Sequence, residues 1–180
     1  MKRLTLLRHA KSDWDDPVAR DFDRPLNRRG EKAALLMGQF AAKRKMQFDL
    51  LVASPAVRVV QTLETFFEGY GETLDARWDR RIYLASSPTL FDVVRDLPDS
   101  ADSVLMAGHN PGLEELILDL VPDDGISSLR EDVEVKFPTA SIAVMDLAID
   151  RWSEARDNIA TLASFTRPRD LDPALGPGTR

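Results

Sequence analysis

The chain holds two histidines, His9 and His109, and both stand in the same kind of place. His9 closes Leu6-Leu7-Arg8-His9, an apolar run that ends in two polar residues; His109 sits in Gly108-His109-Asn110-Pro111-Gly112, after the apolar run 103–107. A neutral imidazole near pH 7 is a good nucleophile for phosphorus, and the phosphoramidate it forms can be hydrolysed in a second step. Arg8 stands beside the first histidine. Arg58 falls in the first turn of a helix expected to open at Ser54-Pro55, where free N–H groups and the positive dipole end already favour an anion. Guanidinium groups add planar, bidentate donors that match phosphate oxygens. Each residue alone has a plainer reading: a histidine that satisfies backbone groups, or a surface arginine. Arg8 next to His9, and two histidines in matching settings, tip the balance toward a phosphoryl site that also uses His109 as a donor.

Other chemistry is harder to build. With no cysteine there is no thiolate zinc site, disulfide or cysteine nucleophile. Two isolated histidines offer no paired-ligand spacing for zinc, so no metal and no cofactor are expected. Asp13, Asp15, Asp16, Asp21 and Asp23 form an acidic run, but it lacks the glycine and terminal glutamate of a calcium loop. It reads as a solvated, internally paired loop, with Arg20, Arg24, Arg28 and Arg29 assigned to solvent or local ion pairs. Trp14, Trp78 and Trp152 read as packing residues.

The elements that must carry these groups follow from periodicity. Strands are expected at residues 4–7, 50–53, 73–78, 104–107, 141–147 and 158–165. Helices are expected from Asn27, as N-cap, to about Met46, then from Ser54-Pro55 to about Gly69, over 88–97, and from 112 to about Val121, where Pro122 stops it. Residues 13–25 and 122–131 read as loops. Strands alternating with helices indicate an α/β, three-layer sandwich: a mostly parallel central sheet, helices on both faces, and at least one antiparallel strand near the end of the chain. In such sheets ligands bind beyond the carboxyl ends of the strands. Arg8-His9, Ser54 to Arg58 and Gly108 to Asn110 all follow strand ends.

The 180 residues suit one domain, expected over 1–166, with a Pro/Gly-containing tail at 167–180 expected to be disordered. A net charge of −6 disfavours general nucleic-acid binding. No membrane-length apolar run or signal peptide is evident, and a cytoplasmic monomer is expected.

Three segments together resemble one family. Leu7-Arg8-His9-Ala10-Lys11-Ser12 resembles the Arg-His-Gly signature of the histidine phosphatase, or phosphoglycerate mutase-like, superfamily. The segment from Ser54-Pro55 through Arg58 to Gln61-Thr62 is similar to its second motif, and Gly108-His109-Asn110 to its third. Ala10 in place of glycine, the short chain and Asp23-Arg24-Pro25-Leu26 are similar to the SixA branch, the phosphohistidine phosphatases. The resemblance covers about residues 1–165. It implies that His9 is the phosphorylated nucleophile, that Arg8, Arg58 and His109 bind the phosphoryl oxygens, and that no metal takes part.

Two departures stand out. Many ester-cleaving relatives carry a carboxylic acid after the third strand, whereas residues 80–87 hold no Asp or Glu; Asp92 is the nearest later carboxylate. Larger members also carry an asparagine near the position of Asp15, which leaves Asp15 outside the expected phosphate shell. The expectation is a signalling-type phosphatase acting on a phosphohistidine-bearing protein. The alternatives are a phosphomonoesterase for small phosphate esters and a phosphoprotein-binding module with negligible turnover.

Overall fold

The computed structural model describes residues 1–15 and 20–176. Six strands form one sheet: β1 (Lys2–Arg8), β2 (Leu50–Ala53), β3 (Ala76–Trp78), β4 (Ser103–Gly108), β5 (Ile142–Leu147) and β6 (Ala160–Thr166). Their order across the sheet is β3-β2-β4-β1-β5-β6. The pairs β3/β2, β2/β4 and β4/β1 are parallel, and β5 runs antiparallel to both β1 and β6. The mostly parallel sheet with one reversed strand is thus present as expected.

Helices cover both faces, and the period-two alternation of the strands assigns a core to each. On one face Leu4, Leu6, Val52, Val104 and Met106 pack with α3 (Ser87–Arg95), α4 (Gly112–Leu120), α5 (Ser128–Val135) and Trp152. On the other, Leu7, Leu51, Ala53, Leu105 and Ala107 pack with α1 (Arg28–Lys43) and α2 (Val57–Tyr70). Asn27 caps α1 by accepting from the Gly30 amide at 2.8 Å. The α1–α2 contact is close enough to need glycine: a Cβ at Gly38 would lie 1.9 Å from the Phe66 carbonyl oxygen.

Four sequence expectations need correction. Helix α2 begins at Val57 behind Ala56, so Ser54 is not its cap. Residues 122–131 are not one loop, because Ser127 caps α5 by accepting from the Arg130 amide, and Arg130 is drawn inside by the Val121 and Leu118 carbonyls. Trp152 is buried, whereas Trp14 and Trp78 are 78% and 49% exposed.

The largest correction concerns the tail. Residues 167–176 do not trail off: α6 (Pro168–Leu171) and a 3-10 turn at Pro173–Leu175 fold back against α1. Pro168 is buried, Leu175 packs on the α1–α2 core, and Arg29 donates to the Gly176 carbonyl at 2.9 Å. Low apolar content argued for disorder, but a short segment needs only a few anchors when a folded surface receives it. Residues 177–180 of the expected tail, and Asp16 of the acidic run, lie outside the described residues.

Candidate active site

Arg8 ends β1 and His9 follows it, between two neighbours in the sheet. The His9 amide donates to the Gly108 carbonyl at the end of β4, and the Ala140 amide donates to the carbonyls of Arg8 and His9. His9 is only 8% exposed, although it follows a strand end. Its Nδ1 lies 2.7 Å from the Ala10 carbonyl. A carbonyl can only accept, so Nδ1 carries the proton and Nε2 keeps its lone pair. Burial holds the ring neutral, with its pKa pushed down to about 3, and the nearby His109, Arg8 and Arg58 work in the same direction.

His109 follows β4, with its ring centroid 5.4 Å from that of His9. Arg58 Nη2 donates to its Nδ1 at 3.2 Å, so the proton sits on Nε2, which donates to Ser54 Oγ at 2.7 Å. Ser54, expected as a helix cap, is instead a partner of this imidazole. Burial and Arg58 lower the His109 pKa to about 3. Both ring nitrogens are occupied. In this arrangement His109 holds Arg58 in place and offers no free N–H to a ligand, unlike the donor role expected of it.

Arg58 is 2% exposed. Besides His109 it donates to the Asp21 carbonyl at 2.7 Å and to Asp21 Oδ2 at 3.1 Å. Arg8 donates through Nη1 to the Phe137 carbonyl at 3.0 Å. The Nε atoms of both arginines are buried without a hydrogen-bond partner among the described residues. Buried donors are normally satisfied, and two guanidiniums that each keep an unpaired Nε beside a neutral imidazole fit a site that receives an oxyanion. Gln61 and Thr62 brace the site without lining it. Thr62 Oγ1 donates to the Arg58 carbonyl at 2.6 Å and accepts from the Ala10 amide at 2.9 Å, while Gln61 Oε1 accepts from the Leu26 amide at 2.9 Å.

The acidic loop contributes more than the sequence indicated. A β-bridge between Ser12 and Leu26 closes its base, and Gly30 lets α1 approach so closely that a Cβ there would lie 2.1 Å from the Lys11 carbonyl oxygen. Asp21 then reaches the site. Its carboxylate accepts from Arg58, from Arg24 Nη2 at 2.7 Å and from the Tyr83 hydroxyl at 2.5 Å. The Tyr83 hydroxyl and these guanidiniums outweigh burial and hold its pKa well below the usual carboxylate range. Arg24, assigned to solvent or local ion pairs from sequence, is 7% exposed, donates to Ser12 Oγ and stacks on the Trp14 ring at 3.4 Å. An Asp-x-x-Arg spacing in a polar loop was the available signal, but it resembles any surface ion pair.

Arg8, His9, Asp21, Arg24, Arg58 and His109 line one cavity of about 490 Å³, together with Lys11, Lys136 and residues of the tail. Among the described residues no cluster of three or more potential ligands could hold a metal ion, and no helix is long and apolar enough to cross a membrane. Asp92 lies elsewhere, exposed on α3 beside Arg95.

The family described as "Histidine phosphatase superfamily (branch 1)" matches residues 4–82. An uncharacterised protein of Mycobacterium tuberculosis is 33% identical over 164 residues, covering 91% of this chain and 100% of its own length. The crystal structure of a protein provisionally described as the phosphohistidine phosphatase SixA of Agrobacterium tumefaciens superposes with a TM-score of 0.78 at 30% identity, covering 93% of this chain and 98% of that one. A structure described in the same way from Nakamurella multipartitia gives a TM-score of 0.80 at 26% identity, with 93% and 96% covered. With the likeness running along nearly the whole chain, the protein belongs to the histidine phosphatase superfamily, in its SixA-type branch.

Proposed function

We propose that this chain dephosphorylates phosphohistidine on a partner protein, with His9 as the nucleophile. The reading rests on one observation: a neutral imidazole, its Nδ1 proton held by Ala10, lies among buried guanidiniums, and the nearby carboxylate cannot act as an acid. His9 Nε2 attacks phosphorus as the P–N bond to the substrate imidazole breaks. Arg8 and Arg58 hold the phosphoryl oxygens, since phosphoryl transfer depends on positioning and positive charge. As a dianion enters, Arg58 turns to it and His109 is freed to take a proton and donate as well. Water then attacks phospho-His9, releasing inorganic phosphate and restoring the imidazole.

The leaving group sets the specificity. An alkoxide needs a positioned acid, whereas an imidazole, with a reference pKa of about 6.5, can leave with a proton from water. Residues 80–87 hold no carboxylate. Asp21 does reach the pocket, but ionised and bound to Arg58 and Arg24 it is an acceptor only. Phosphate release from a phosphohistidine peptide and from an alkyl phosphate tests this directly. The peptide should be turned over faster by orders of magnitude, with activated aryl phosphates between. Efficient hydrolysis of a sugar phosphate, with a pH profile that requires an acid, would give the site to small phosphate esters instead.

A further inference from the structure

Cations line the pocket in excess of what one phosphoryl group uses. Eight arginines and lysines border the cavity against a single carboxylate, Asp21, in a chain whose net charge is −6. Arg8 and Arg58 belong to the phosphoryl site, and Arg24 is bound to Asp21. Arg29 holds the tail through Gly176, and Arg167 is paired with Asp170. Lys11, Lys136 and Arg169 differ from these, because none makes an ion pair or side-chain hydrogen bond among the described residues.

These three come from separate parts of the chain: the segment after β1, the end of α5 and the tail helix α6. Lys11 and Lys136 are exposed and Arg169 is half-buried, so they border the cavity while remaining open to solvent. The cavity, at about 490 Å³, is in the range that takes a ligand much larger than a phosphoryl group. Like charges that line one cavity raise the free energy of the empty site, offset for Arg169 in part by its attraction to Asp170, and an anionic ligand relieves it. Groups at an open mouth can be reached by the surface of a macromolecule whose phosphorylated side chain enters below.

We propose that Lys11, Lys136 and Arg169 form a second anion subsite that receives acidic side chains flanking the phosphohistidine of the partner protein. The proposal rests on the phosphohistidine reading and adds to it a partner with carboxylates beside its phosphorylated residue. It also gives the folded tail a role, since α6 carries Arg169 to the mouth.

Two phosphohistidine peptides test it, one flanked by glutamates and one by glutamines, with phosphoramidate as a substrate that has no flanking groups. At low salt the native enzyme should show kcat/KM about tenfold higher for the glutamate peptide, the combined size expected of a few exposed ion pairs. The preference should fade as salt screens it. In the Lys11→Gln/Lys136→Gln/Arg169→Gln variant it should vanish, while phosphoramidate turnover stays at the native level and shows that the fold is intact. Equal kcat/KM for the two peptides, or a preference that survives the triple substitution, would overturn the subsite. Inhibition by tripolyphosphate that weakens in the variant, without any peptide preference, would assign the cations to a small polyanion and overturn the docking role. If no phosphohistidine substrate is turned over, the phosphohistidine reading fails, and the subsite is judged by whether the His9→Ala protein binds the glutamate peptide more tightly.

Discussion

The floor and the wall of the pocket are built on different principles. The floor is Arg8 and His9 at the end of β1, held by backbone bonds to β4 and to residues 140 and 141, with His109 just past β4 and Arg58 in the first turn of α2, held to each other through their side chains. The wall is residues 11–15, residues 20–26 and the described part of the tail, joined to the rest by scattered side-chain contacts such as Arg58 to Asp21 and Arg29 to Gly176. The floor is largely buried, with both imidazoles neutral, whereas the wall is charged and partly open. Chemistry that needs fixed geometry is thus placed where the hydrogen-bonded ladder supplies it. The outer contacts, open to a larger ligand, lie on segments that can change without disturbing the sheet.

The sharpest way to break this division is to attack the floor. His9→Ala should abolish turnover and leave the far-ultraviolet circular dichroism native, because its backbone amide bond to Gly108 survives. Brief exposure of the native enzyme to substrate should leave acid-labile phosphate on His9, and phosphate mapped to another residue would sink the mechanism. Arg58→Ala should lower kcat/KM by roughly two orders of magnitude, the loss typical of one transition-state donor.

Wall substitutions should act on binding. Asp21→Asn removes the charge that neutralises Arg58 and Arg24 in the resting site, so inorganic phosphate should inhibit about fivefold more strongly, as expected for a partly exposed charge. Weaker inhibition would show that Asp21 acts mainly by orienting Arg58. Deleting residues 168–180 removes the Leu175 packing and the Lys32–Asp172 pair. A loss of ~2 kcal/mol corresponds to roughly 4–8 °C in Tm for a domain of this size. Phosphoramidate turnover should persist in the truncated protein, and an unchanged Tm would mean that the tail does not dock in solution.

A further expected effect is one of pH. Both imidazoles have folded pKa values near 3, whereas in the unfolded chain they protonate below about 6.5. Between these values the unfolded state binds more protons, so stability falls as pH falls through that window. Tm should therefore be lower at pH 5 than at pH 7, and His9→Ala should make the slope shallower.

The same division explains what could be read in advance. The six strands, the helices α1 to α4 and the four floor residues were legible, because local periodicity places strands and strand ends place the groups that follow them. Asp21, Arg24 and Ser54 were not assigned to the site. Their roles depend on contacts across long stretches of sequence, as when Ser54 meets His109 or Asp21 meets Tyr83. Helix α5 was hidden inside a polar segment whose buried members are only Arg130 and Val133. The tail was misjudged because composition measures how much a segment can bury on its own, not what an existing surface can hold.

The hydrogen bond from His9 Nδ1 to the Ala10 carbonyl has a consequence for regiochemistry. A ring tethered through one nitrogen can be phosphorylated only on the other. A phosphoryl group carried by His9 must therefore form a single positional isomer, on Nε2. The phosphorus resonance of the trapped intermediate should be one line at the shift of that isomer, and the Nδ1 proton should persist in the phosphorylated enzyme as a slowly exchanging signal.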